Sequence, residues 1–166
     1  MKMDLIQPFI SAADCVLASA LSGPASIGDL SMEEDGCRLH GCGVRILIHG
    51  EIEGRIVVDM TPETAAHVAN ALAGEEMEAS DQVISETVFE LANMMIGNAV
   101  TLLNDRGYQF KVLPPEKCTD NQNAVSRTET EEAAIYFDTP SGRIFLNLCM
   151  RYNLRPRMER VGVLGK

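Results

Sequence analysis

The sequence predicts an α+β fold in which an antiparallel sheet is covered by helices. Three observations lead there. Short alternating segments come in two pairs joined by tight turns, which makes neighbouring strands antiparallel. The helical stretches lie before and between those pairs, with no strand–helix–strand crossover. The length suits one domain over residues 1–166, able to bury about 70% of its unfolded surface.

The elements follow in order. Residues from about Met3 to Leu21 read as a helix, because Ile6, Phe9, Ile10, Ala13, Val16 and Leu17 recur at helical spacing. The Gly23-Pro24 pair closes it. A strand is expected near Ala25 to Met32. In "GVRILIHG" Val44, Ile46 and Ile48 alternate with Arg45, Leu47 and His49, and in "GRIVVDM" Ile56, Val58 and Met60 alternate with Arg55, Val57 and Asp59. The short "EIE" between them predicts a hairpin. In "TPETAAHVANALAG" Thr61 caps a helix, Pro62 fits its first position and Gly74 ends it. After "EEMEAS", Ser80 or Asp81 caps a long helix that runs to Arg106 and stops at Gly107. At ~1.5 Å per residue this helix is ~37 Å long. "YQFKVL" predicts a strand ended by Pro114-Pro115, and "CTDNQNAVSRTET" a loop. "AAIYFD" and "GRIFLNLCMRY" form a second hairpin around "TPSG".

Composition narrows the function classes. Hydrophobic residues make up 46% and charged residues 23%, an ordinary globular balance. With no tryptophan and 5% aromatics, the core must be aliphatic and methionine-rich. The net charge of −10 argues against a nucleic-acid partner, since phosphate binding needs a basic face. A protein partner or a small cationic ligand fits that charge. Neither a secretory signal nor a membrane span is expected, because Asp4 and Asp14 interrupt the first apolar run. Five cysteines without tight spacing suit reduced thiols in a cytoplasm.

The long helix holds the unusual residues. With each residue placed about 100° around the axis, Ile84, Val88, Leu91, Ala92, Met95, Ile96, Ala99, Leu102 and Leu103 share one arc. That arc must face the sheet. Glu86, Glu90, Asn93 and Gly97 fall opposite it, within roughly 60° of one another. A polar exterior is ordinary for a helix, but these choices do not favour a helix: glycine costs about 1 kcal/mol against alanine there, and asparagine is a mediocre former. Glycine at 97 also removes bulk beside Asn93, so another surface can approach. An amide both donates to and accepts from water, and orienting water is what a glutamine does in GTP hydrolysis. A carboxylate one turn away can grip a partner's lysine. Met94 lies near the stripe and is a further candidate contact.

Those residues carry a family resemblance. "ELANMMIGNAVTLL" resembles the E-x-x-N helix of the CheC/CheX/FliY phosphatases, most closely that of CheX, and the predicted element order is compatible over the full chain. The resemblance implies a phosphatase acting on the aspartyl phosphate of a CheY-like response regulator. Asn93 would then orient the attacking water and Glu90 pair with a regulator lysine. Glu86, Met94 and Gly97 would belong to the partner-binding surface. No cofactor is implied for this chain, since the Mg2+ belongs to the regulator. Two features depart from the family pattern: Glu86 stands where Asp or Ser is common, and Pro114 and Pro115 stand slightly nearer to Asn93 than the family's proline does. The first helix holds no E-x-x-N, which resembles the one-site arrangement of CheX. A homodimer through sheet edges is implied as well, and an exposed antiparallel edge supplies the means. The solution mass of the purified protein checks that expectation.

Other motifs are weaker. "CRLHGC" places Cys37, His40 and Cys42 together without the second ligand pair of a zinc site. His49 and His67 are isolated. Ser85 has no nucleophile-elbow setting, and no glycine-rich phosphate loop is present. Two functions from different classes follow: a response-regulator phosphatase using Glu90 and Asn93, or a noncatalytic adaptor of the same fold that docks a regulator or a flagellar or signalling protein.

Overall fold

The computed structural model describes residues 5–21, 26–31, 41–74, 80–118 and 131–153. Their elements, in order, are α1 (Gln7–Ala20), β1 (Ser26–Ser31), β2 (Gly43–Gly50), β3 (Ile52–Asp59), α2 (Pro62–Ala73), α3 (Asp81–Asp105), β4 (Phe110–Val112), β5 (Glu116–Cys118), β6 (Glu131–Thr139) and β7 (Gly142–Tyr152). One sheet runs in the order β1-β6-β7-β3-β2-β4, with β5 also paired to β2. Every pairing is antiparallel, as the two hairpins require. The expected α+β architecture is therefore present.

Register explains the core. Ile46 lies opposite Ile56, Ile56 opposite Leu148, and Leu146 opposite both Val58 and Ile135. These rows give the sheet one aliphatic face. Phe9, Val16 and Leu17 of α1, Val68 of α2, and Val88, Leu91 and Met95 of α3 pack on that face in one buried cluster. Each such side chain contributes about 1.5–3 kcal/mol by leaving water. Helix α1 rests on α3 and β6, α2 on α3 and β7, and α3 on β2 and β3. All three helices thus share one side of the sheet, with α3 between the other two.

Several boundaries differ from expectation for physical reasons. Within the described residues α1 starts at Gln7, after an Ile6 cap position that makes no side-chain bond, with Pro8 in its first turn. Proline lacks an N–H and tolerates only that part of a helix, so it marks the start. The first hairpin turns more tightly than "EIE" suggests, because Ile52 and Glu53 already belong to β3. The strand expected at "YQFKVL" shortens to Phe110–Val112, since the Tyr108 amide closes the end of α3 on the Leu103 carbonyl. Pro114-Pro115 ends it as expected. Pairing with β2 then resumes in β5, which takes Cys118 out of the expected loop. The rest of that loop, residues 119–130, lies outside the described residues. Among the described residues, four strands rather than three thus follow the long helix.

The centre of the sheet's reverse face is buried too. Val57 and Phe145 are about 1% exposed, and Arg55, Asp59 and Asn147 are 3%, 0% and 0%. Burying such groups demands partners. Arg55 Nη2 donates to Asn147 Oδ1 at 3.2 Å and stands 3.7 Å from Glu132 Oε1. Asn147 Nδ2 donates to Glu132 Oε1 at 3.4 Å. Asp59 Oδ1 accepts from the Cys42 and Met60 amides at 3.1 and 2.8 Å.

Candidate functional site

Helix α3 is well made at both ends. Ser80 Oγ accepts the Val83 amide at 3.2 Å, and Asp81 in the first turn complements the helix dipole. Gly107, at φ 93°, takes the left-handed conformation that lets the chain leave the helix. Its inward arc is close to the expected one: Val88, Leu91, Ala92, Met95, Ile96, Ala99 and Leu103 are buried. Two expected members differ. Ile84 is half-buried, and Leu102 is 38% exposed. Leu102 lies in the last turn of α3, which ends at Asp105.

The outward line is where the sequence placed it. Glu86, Glu90, Asn93 and Gly97 are all exposed, and Met94 beside them is 37% exposed. Asn93 follows Glu90 by three residues, so the two side chains are neighbours on one face. Gln82 Nε2 donates to Glu86 Oε1 at 3.1 Å. Among the described residues, neither Glu90 nor Asn93 is held by a hydrogen bond or ion pair. Gly97 serves no packing purpose, because a Cβ there would meet nothing within 4 Å. Thr101 Oγ1 donates to the Gly97 carbonyl at 3.1 Å on the same exposed surface. The result is a low spot in a continuous helix next to an unengaged amide.

A groove runs beside this line. Ala69, Leu72 and Ala73 of α2 face Val83, Glu86 and Glu90 of α3 across an open cleft of about 370 Å³. Sequence reading missed the α2 residues. Leu72 follows Ala65 and Val68 at helical spacing, which reads as core, yet in the last turn of α2 it is 36% exposed.

A second cavity, about 290 Å³, lies at the start of α3 against β2 and is lined in part by Cys42, Asp81, Ser85, Phe89 and Lys117. Burial, then the Asp59 carboxylate, push the Cys42 thiol above its ordinary range. A thiol held protonated is a poor nucleophile. His67 Nδ1 lies 3.2 Å from the Ser141 carbonyl, so it ties α2 to the β6–β7 turn. His49 is exposed, with Nδ1 4.0 Å from Glu53. No group of metal-binding side chains forms among the described residues. Cys37 and His40 lie outside them, while Cys15, Cys42, Cys118 and Cys149 are free thiols. No described helix is long and apolar enough to cross a membrane. The outward face of α3 is the better candidate: it gathers polar groups that the fold itself does not use.

An antiparallel sheet with helices on one side is the α+β architecture shared with CheC-like proteins. Residues 42–138 match the family described as chemotaxis phosphatase CheX, and the chain belongs to that family. Among solved structures, it is 30% identical to the CheX of the CheX–CheY–BeF3–Mg2+ complex from Borrelia burgdorferi, with a TM-score of 0.72 over 90% of this chain and 99% of that one. Two more distant structures share the fold. A CheC-like superfamily protein from Shewanella sp. PV-4 is 22% identical, with a TM-score of 0.77 over 91% of this chain and 99% of that one. The chemotaxis protein CheX from Desulfovibrio desulfuricans is also 22% identical, with a TM-score of 0.76 over 89% and 99%. Among curated proteins, none matches the chain.

Proposed function

We propose that this protein stimulates hydrolysis of the aspartyl phosphate of a CheY-like response regulator. Asn93 enters the regulator's phosphorylated pocket and orients the attacking water. Glu90 pairs with a regulator lysine and fixes where the amide lands. Water forms the new P–O bond as the aspartate carboxylate leaves, and the proton passes to solvent. The Mg2+ and the electrophilic phosphorus both belong to the regulator. What this chain adds is placement. An acyl phosphate is already labile, so placement suffices, and a hundredfold acceleration needs only about 2.7 kcal/mol.

One observation carries the reading: Asn93 is exposed on the outward face of α3, one turn from Glu90, with neither side chain engaged elsewhere in the described residues. Membership of the CheX family supports it. So does the 30% identity to a CheX that was crystallised with CheY.

The test follows phosphate release from a phosphorylated CheY-type regulator, alone, with this protein, and with Asn93→Ala. Stimulation should fall by about 100-fold in the variant while binding of the regulator persists. Equal decay in all three samples would replace the phosphatase by the noncatalytic adaptor.

A further inference from the structure

We propose that the groove between α2 and α3 is the part of the docking surface that selects the regulator. It receives an aliphatic side chain of the regulator standing next to a basic residue, and Leu72 is the residue that sets affinity. This rests on the reading above, because Glu90 belongs at once to the E-x-x-N pair and to the groove wall.

The chemistry of the lining defines the occupant. Ala69, Ala73 and Val83 give the cleft small apolar walls, and Leu72 adds a half-exposed leucine. Thr87 also lines it, but its hydroxyl donates to the Val83 carbonyl at 2.7 Å. The other polar groups in the lining are the carboxylates of Glu86 and Glu90. Among the described residues neither carboxylate belongs to an ion pair of this chain, whereas Glu116, Glu53, Asp138 and Glu132 are all paired with arginines. An apolar floor with two unneutralised acids on its rim fits an apolar side chain flanked by a cation. The −10 net charge favours the same partner at long range. The cleft is open to solvent, unlike the enclosed pockets that bury most of a small molecule, so a protein surface can fill it. Leu72 and Met94 stand as exposed apolar side chains on α2 and α3, 36% and 37% accessible, where anchors of an interface are expected.

The experiment measures the Kd of a CheY-type regulator activated with BeF3− and Mg2+, and the kcat and KM of phosphate release from the phosphorylated form. Leu72→Asp should raise Kd and KM about tenfold and leave kcat within about twofold. Leu72→Ala should give the same direction at smaller size. Asn93→Ala should do the converse, lowering kcat with Kd little changed. Leu102→Asp is the control: an equally exposed leucine, on α3 but away from the groove, expected to leave Kd and KM unchanged. Unfolding temperatures of all four variants confirm that the fold is kept. An unchanged Kd in Leu72→Asp, or an equal loss in Leu102→Asp, overturns the groove proposal even where Asn93→Ala is inactive. A Kd raised by Leu72→Asp in a protein with no stimulating activity keeps the groove and overturns the phosphatase reading. Absence of any binding by the unaltered protein overturns both.

Discussion

The reverse face of the sheet and the outward face of α3 both carry charged and amide side chains, and they use them in opposite ways. On the sheet, Arg55, Asn147 and Glu132 meet one another within one buried cluster. Nearer its margins, Arg45 meets Glu116, Arg151 meets Glu53 and Arg143 meets Asp138. On α3, Glu90 and Asn93 are exposed and held by nothing in the described residues. The first arrangement is closed, since its members meet one another within the chain. The second is open: its groups face solvent and meet no partner in the described residues. The difference teaches where to look for function in a fold this simple: among polar groups whose own chain leaves them unsatisfied.

The comparison breaks most easily at Arg55. Arg55→Ala removes the buried guanidinium that meets Asn147 and Glu132 and is expected to cost about 3 kcal/mol. For a chain of this length that lowers Tm by roughly 6–12 °C, read by thermal unfolding. The folded fraction should still bind the regulator with unchanged affinity. A neutral Arg55→Ala would mean that the sheet cluster is as dispensable to the fold as the exposed pair on α3. Gly97 gives the opposite sign. Its side-chain space is empty, so Gly97→Ala should stabilise α3 by up to about 1 kcal/mol. The same change should weaken regulator binding by raising the low spot beside Asn93. A variant that is both more stable and equally tight in binding would remove the glycine from the docking surface.

The smallest effect is at Cys42. Its thiol is raised by burial and by Asp59, so the folded state holds the proton more firmly than the unfolded chain does. No stability difference arises below the unfolded thiol range. Stability then declines as pH climbs from that range toward the raised folded value. At mildly alkaline pH, alkylation followed by mass spectrometry should modify exposed Cys15 well before Cys42. Equal rates would show that the thiol is reached as freely as a surface residue.

Much of the architecture was legible because its signals are local. Thr61 and Pro62 open α2 and Gly74, at φ 73°, closes it. Ser80 and Gly107 do the same for α3. Alternation placed β2 and β3, and the line from Glu86 to Gly97 could be drawn from periodicity alone. Other features depend on contacts distant in sequence. The return of β5 to β2 after two prolines, the burial of Arg55 and Asp59, and the exposure of Leu72 and Leu102 each follow from what does or does not cover a residue in space. The α2 half of the groove was hidden for that reason: spacing assigns Leu72 a face, and only the packed helices show where that face ends.

The proline pair beside β2 has a consequence for the lifetime of the folded chain in a crowded solution. Pro114 and Pro115 cut that flank into β4 and β5, each of three residues. Fibril-forming ladders grow from uninterrupted segments of about six or seven residues, and a proline offers an incoming strand no amide hydrogen. Strand-by-strand polymerisation therefore finds only short, interrupted segments on this flank.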